Sequence, residues 1–349
     1  MKTEVLRIDP ENIDEAAIEK AAAYIRDGQL VAFPTETVYG LGADALDPAA
    51  SKAIYAAKGR PSDNPLIIHI ADVESLYEIG EDIPQSAALL AKKYWPGPMT
   101  LIVKKKENIP YETTGGLDTV AVRLPSHKIA RELIRRSGRF IAAPSANTSG
   151  RPSPTKAEHV IEDMDGRIPC IIDGGAVEIG LESTIIDLTE EIPTILRPGA
   201  ISLSDVKNVT GEARLDPGIV REDENIRPKA PGMRYRHYAP KGELTIIEGE
   251  REAVISAITI SLETAKKEGK RAAVIACSES ADRYEGYKVF DIGALSREDE
   301  IAKNLYDTLR RLDEEKIDVI FSEAFDTPHV GTAIMNRLLK AAGHRVIEV

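Results

Sequence analysis

The 349-residue chain has only two cysteines, Cys170 and Cys277, and both lie in apolar runs. That scarcity excludes a disulfide framework or a cysteine-built metal cluster and reads as two buried free thiols in a reducing compartment. No apolar run approaches the roughly 20 residues that a membrane-crossing helix needs. The opening Met-Lys-Thr-Glu has no apolar signal core, so a soluble cytoplasmic protein is expected. Low-complexity tracts are also missing. Several catalytic signatures are absent. Without G-x-x-x-x-G-K-[ST] the chain is not a P-loop enzyme. Without H-E-x-x-H or ligand-spaced cysteines there is no zinc signature. The six histidines, His69, His127, His159, His237, His329 and His344, are scattered, so no metal-ligating residue is expected. No G-x-S-x-G marks a nucleophile, and Ser145 has no obvious base.

Composition is that of a globular protein, 42% hydrophobic and 29% charged, and the length suggests two domains. A net charge of -12 argues against wholesale nucleic-acid binding. The charge is uneven, however. Residues 91 to 156 hold thirteen Lys or Arg against four Asp or Glu. Such a stretch suits a local anion site, whether nucleotide phosphate or RNA, and equally a solvated basic face.

The densest chemistry lies between residues 30 and 70. Leu30 to Phe33 reads as a buried strand that stops at Pro34. Thr35, Thr37, Gly40 and Gly42 follow, the glycines allowing close backbone approach to a ligand. Asp47-Pro48 predicts a helix start, with Gly59 near its end. The next loop carries Lys58, Arg60, Asp63 and Asn64 and is braced by Pro61 and Pro65, a combination that suggests a rigid anion clamp. Leu66 to Ile70 is a second strand, with His69 inside it. Gly40-x-Gly42-x-x-Ala45 is no dinucleotide fingerprint, because the helix begins only after Asp47.

Elsewhere the period predicts helices over 14–26, 87–95 and after Ser126, and a helix capped by a Thr155–Glu158 box. Strands are expected at 100–103, 119–124, 140–143, 169–172, 183–188 and up to Leu196. Hairpin-like neighbours mixed with helical crossovers predict an α/β fold with a mixed twisted sheet. From about Ser204 to Pro240 the pattern weakens into a proline-bearing linker with little helix or strand. Its last part, through Arg234, Tyr235, Arg236, His237 and Tyr238, suits base stacking and phosphate contact. From Leu244 a clean strand–helix alternation predicts a smaller Rossmann-like parallel α/β domain without a phosphate loop. The chain thus divides as 1–203, a linker at 204–240, and 241–349.

What remains in the N-terminal part is hydroxyls, amides and cations. Such a set suits a protein that positions charged substrates and stabilises a phosphoryl transition state without becoming covalent itself. At this point the motifs meet a known family. Pro34-Thr35-Glu36-Thr37-Val38-Tyr39-Gly40-Leu41, Lys58-Gly59-Arg60-Pro61, Asn64-Pro65-Leu66, Pro144-Ser145-Ala146-Asn147, Glu182-Ser183-Thr184 and Leu196-Arg197-Pro198-Gly199 resemble the YrdC-type domain. With the Pro-Gly-Met-Arg-Tyr-Arg-His-Tyr run, the whole chain resembles the two-domain threonylcarbamoyl-AMP synthases.

The resemblance implies a nucleotidyltransferase that condenses L-threonine, bicarbonate and ATP, with Mg²⁺, into threonylcarbamoyl-adenylate and pyrophosphate. The product serves a tRNA modification through a downstream threonylcarbamoyl-transferase complex. It also implies site residues. Threonine is expected near Thr37, His69, Arg123, Ala143 and Ser183. ATP is expected near Lys58, Arg60, Asn64, Thr119, Ser145, Asn147, Ser153 and Arg197, with the linker's Tyr235 closing over it and Lys58 and Arg60 acting in catalysis. Two other readings stand beside this one. The first is an RNA-binding translation factor contacting tRNA or double-stranded RNA. The second is a carbamoyl-adenylate-forming maturation protein, which would bring acylphosphatase-like and zinc-finger segments not seen in this sequence.

Overall fold

The computed structural model describes residues 2–219 and 238–349. The chain divides into two compact units, one of Met1–Ser149, Ser153–Glu178 and Glu182–Arg234, the other of Gly150–Pro152, Ile179–Leu181 and Tyr235–Val349. Local signals start the first helices. Asp14 accepts from the amides of Ala16 and Ala17 to begin Glu15–Arg26, whose buried side is Ile18, Ala21, Ala22 and Ile25. Asp47 accepts from Ala49 N, Pro48 takes the first helical position, and Gly59 ends Pro48–Lys58 in the left-handed conformation.

The first unit is built on one mixed sheet. Its strands are β1 (Glu4–Arg7), β2 (Val31–Phe33), β3 (Gly40–Asp44), β4 (Ile67–His69), β5 (Gly80–Glu81), β6 (Met99–Lys105), β7 (Thr119–Arg123), β8 (Ile141–Ala142), β9 (Cys170–Asp173), β10 (Thr184–Asp187), β11 (Thr194–Arg197) and β12 (Arg214–Leu215). Their order is β1-β9-β2-β3-β8-β4-β7-β6-β10-β11-β12, with β5 beside β6. Pairs β4/β7 and β6/β10 are parallel, while β4/β8 and β6/β7 are antiparallel.

Side chains alternate across these strands. Ile68, Val122, Leu101 and Ile186 join the main core with the helical Ile54, Leu90 and Leu76. Ile67, Ala121, Ile102 and Ile185 point the other way and form a small separate cluster with Leu196. His69, Arg123 and Thr100 lie two residues from Ile67, Ala121 and Ile102, so they share that second face. A further core joins Ile18 and Ile25 to Ile129, Leu133, Phe33 and Ile141.

Four expectations change. Gly40 and Gly42 do not open the backbone to a ligand. They sit in β3, an unanticipated strand between β2 and β8. A Cβ on Gly42 would lie 2.7 Å from both Phe33 and Ile141, so side-chain packing requires the glycine. Ser126 does not cap the next helix: His127 occupies that position before Lys128–Ser137 and makes no side-chain cap bond. No Thr155–Glu158 box forms either; the Thr155 amide donates to His159 Nδ1 at 3.2 Å. The expected irregular stretch begins late. Leu203–Thr210 is a helix opened by a Ser202–Asp205 capping box, and β12 then pairs with β11. Residues 220–237, with Tyr235 and most of the aromatic and basic run, lie outside the described residues.

The second unit carries β13 (Glu243–Glu248), β14 (Ala272–Ala276), β15 (Lys288–Asp291), β16 (Val319–Glu323) and β17 (Val346–Glu348), in the order β15-β14-β16-β13-β17 and all parallel. Helices Arg251–Lys267, Glu298–Glu314 and Gly331–Ala342 connect them, as the alternation predicts. Glu323 joins its loops, accepting from Cys277 N, Ser280 Oγ and Tyr284 Oη. Both cysteines are free and buried. Among the described residues no helix is long and apolar enough to cross a membrane.

Candidate active site

Strand register assembles the centre of the site. His69 is the partner of Arg123 across β4 and β7, and Arg123 is the partner of Thr100 across β7 and β6. Thr100 Oγ1 lies 2.8 Å from Ser183 Oγ, just before β10. Arg197, at the end of β11, donates from Nε to Ser183 O at 3.1 Å and from Nη2 to Ser183 Oγ at 3.2 Å. A continuous polar row therefore crosses five strands. It places Arg197, expected with ATP, directly on Ser183, expected with threonine. Gly199 makes this possible, because a Cβ there would lie 2.5 Å from Thr184 N and 2.8 Å from Glu182 O.

His69 is buried, its Nδ1 3.1 Å from Ile67 O and its ring edge-on to Phe33 at 6.0 Å. Burial, and the Arg123 charge beside it, push its pKa down to about 3. The imidazole is thus neutral, a hydrogen-bonding group and not a cation. Arg123 itself is held by Glu36, Nη2 to Oε1 at 2.8 Å, with both side chains buried.

Two loops flank this row. In the first, Thr35 Oγ1 donates to Val38 O at 2.6 Å and lies 2.8 Å from Thr37 Oγ1. Because the Thr35 proton is used on Val38, Thr37 donates to Thr35. In the second, Ala143 N donates to Ile67 O at 2.8 Å, Ser145 pairs with Gly40 in an isolated bridge, and Ser145 Oγ donates to Asn147 Oδ1 at 2.6 Å. Lys58 holds this second loop. Its buried ammonium donates to the carbonyls of Ser145 and Asn147, each at 2.5 Å, and its own carbonyl accepts from Ser149 N. Ser153 Oγ donates to Glu182 Oε1 at 2.6 Å.

Local contacts hold the loop of the expected clamp. Arg60 Nη2 donates to Pro65 O at 3.3 Å, and the guanidinium stands 5.8 Å from the Tyr55 ring centroid. Tyr55 Oη donates to Asn64 O, and burial raises that phenol to about 12. Asn64 Oδ1 is buried without a hydrogen-bond partner among the described residues. Thr119 begins β7 on the face that bears Arg123. Four residues of strand separate them by about 13 Å, a span suited to an elongated ligand.

Sequence reasoning passed over Glu36, Thr100 and Glu182 as site residues. Glu36 and Glu182 lie inside quoted motifs, and only their contacts distinguish them from ordinary loop acids. Thr100 is hidden in an apolar run. Several cations of the basic stretch of 91 to 156 pair with acids, most of them from elsewhere in the fold. Lys104 pairs with Asp82, Lys128 with Glu11, Arg136 with Glu132 and Glu15, and Arg139 with Asp44. Among the described residues no group of three or more His, Cys, Asp or Glu is placed to hold a metal ion.

Comparison with known proteins shows the family. Residues 23–199 match the Sua5, YciO and YrdC family described as telomere recombination, and residues 201–343 match the threonylcarbamoyl-AMP synthase C-terminal domain. The chain is 52% identical over 339 residues to the threonylcarbamoyl-AMP synthase of Pyrococcus abyssi, covering 97% of this chain and 98% of that one. The chain belongs to the threonylcarbamoyl-AMP synthases. The Bacillus subtilis synthase is 48% identical over 340 residues, covering 97% of this chain and 96% of its own. Pyrococcus abyssi Sua5, crystallised with L-threonine, superposes with a TM-score of 0.94 at 51% identity, over 99% of this chain and 100% of that one. The resemblance read from the motifs, the two-domain α/β architecture and the assignment as a nucleotidyltransferase-type enzyme are thereby borne out.

Proposed function

We propose that this synthase condenses L-threonine, bicarbonate and ATP into threonylcarbamoyl-adenylate and pyrophosphate on the polar face of β4, β7, β6 and β10. The observation that carries the reading is the buried row from His69 and Arg123 through Thr100 and Ser183 to Arg197. In this reading Thr37, His69, Arg123, Ala143 and Ser183 surround threonine. The Arg123 guanidinium pairs with its carboxylate. ATP extends toward Thr119, between the loop of Ser145, Asn147 and Ser153 and the clamp of Lys58, Arg60 and Asn64. Arg197 stands where the two substrates meet, and Tyr235 belongs to the nucleotide side.

The chemistry needs no covalent enzyme intermediate. Threonine's amine captures bicarbonate with loss of water, or CO₂ with loss of a proton, as a carbamate, whose carboxylate attacks the α-phosphorus of ATP and expels pyrophosphate. The mixed anhydride turns a poor acyl donor into a good one. Mg²⁺ enters with the triphosphate as its counter-ion and offsets charge there. Lys58 contributes by fixing the Ser145–Asn147 loop. The product would pass to a threonylcarbamoyl-transferase acting on tRNA in the cytoplasm. Incubating the protein with ATP, bicarbonate and each amino acid in turn tests the reading. Pyrophosphate should appear with threonine and depend on bicarbonate; release that ignores the amino acid would reject it.

A further inference from the structure

The ion pair between Glu36 and Arg123 is incomplete in a specific way. Glu36 is 2% exposed and Arg123 4% exposed. They meet through one contact, Nη2 to Oε1 at 2.8 Å. Glu36 Oε2 and Arg123 Nε are both buried without a hydrogen-bond partner among the described residues. A pair serving only the fold would close as a two-pronged fork and use these atoms. Leaving each one unmet costs about 1–3 kcal/mol. The arrangement thus leaves a cationic donor and an anionic acceptor unmet within one ion pair, both closed off from solvent.

The complement of that surface is a molecule carrying a carboxylate and a positively charged donor a bond or two apart. A phosphate could meet Arg123 Nε but would be repelled by Glu36. A plain carboxylic acid would leave Glu36 Oε2 unmet. An α-amino acid satisfies both. We propose that Glu36 receives the α-ammonium of the substrate while Arg123 takes its carboxylate, so that Glu36 is the residue that selects amino acids over carboxylic acids lacking the amine. This rests on the reading that threonine binds at Arg123.

The pair also has a consequence after the first step. In the first step the ammonium gives up two protons, one leaving in the water formed from bicarbonate and one to solvent, and the nitrogen then carries a carbamate anion in place of a cation. Glu36 then repels the group it first attracted, which drives the carbamate toward the nucleotide and Arg197.

Calorimetric titration of the full-length protein with L-threonine and with its amine-free analogue 2,3-dihydroxybutanoate separates the possibilities. The wild type should prefer threonine by about ten- to a hundredfold, the range of a hydrogen bond to a charged group. In Glu36→Gln the two ligands should bind within about threefold of each other, the analogue's affinity holding or improving. If Glu36 only orients Arg123, the variant weakens both ligands equally and the ratio persists; that outcome overturns the inference. The wild-type ratio needs no variant to fold, and equal binding there also overturns it. Absence of threonine binding to the wild type would instead remove the underlying site assignment, and the inference with it.

Discussion

His69 and Arg123 are register partners on adjacent parallel strands, and both side chains are buried on the same face of the sheet. That proximity adds to burial in setting the charge on the imidazole. Burial first, then the neighbouring guanidinium, holds His69 neutral, with its pKa near 3.

A pH-dependent stability follows from that depression. The unfolded chain binds a proton at this histidine near pH 6.5, and the folded chain does not. The contribution is therefore complete above pH 6.5 and declines as pH falls toward 3, at about 1.4 kcal/mol per unit. Between pH 6.5 and 5 the wild type should lose roughly 2 kcal/mol from this group. Urea midpoints of wild type and His69→Gln over that range check it. Parallel declines in the two proteins would show that His69 titrates normally.

Lys58→Ala should leave the half-buried carbonyl of Ser145 and the buried carbonyl of Asn147 without their ammonium donor. Unmet buried groups cost about 1–3 kcal/mol each, so the thermal midpoint should fall by several degrees while the circular dichroism spectrum is kept. Pyrophosphate release should drop by at least a hundredfold, with threonine binding retained. Turnover within tenfold of wild type would remove Lys58 from the active machinery.

Gly199→Ala probes the approach of β11 to the start of β10. The added Cβ would meet Thr184 N at 2.5 Å and Glu182 O at 2.8 Å, backbone atoms that cannot turn aside. Overpacking of this kind costs about 1–3 kcal/mol. Ser183 and Arg197 should move apart, raising the KM for both substrates. An unchanged melting temperature with unchanged kinetics would show that the turn adapts freely.

The cysteines should be inert in the folded state. Burial raises the Cys170 thiol to about 12 and the Cys277 thiol to about 11, which leaves little thiolate at neutral pH. Reaction with a thiol-specific chromogenic disulfide should be slow until denaturant is added, then reach two equivalents. Rapid labelling of the native protein would contradict the burial.

Much of this molecule can be read without coordinates. Asp47-Pro48 and Gly59 mark a helix because caps act through neighbours one to three residues away. The strand–helix alternation after Leu244 predicts the parallel sheet, since the pattern repeats over whole elements. β3 escapes such reading. Gly40 and Gly42 lower its strand propensity, and it is Phe33 and Ile141 that demand the glycines. The helix at Leu203–Thr210 escapes because eight residues barely complete two turns.

The site divides along the same line. Motifs such as Pro-Thr-Glu-Thr and Leu-Arg-Pro-Gly carry enough local information to name candidate residues. They do not tell which of those residues touch. That Glu36 meets Arg123, 87 positions away, and that Arg197 rests on Ser183, which in turn meets Thr100, depends on how the sheet brings these segments together. Local chemistry determined the inventory of groups. Tertiary structure decided their pairing, because hydrogen bonds and ion pairs act over a few ångströms in space and are indifferent to separation along the chain.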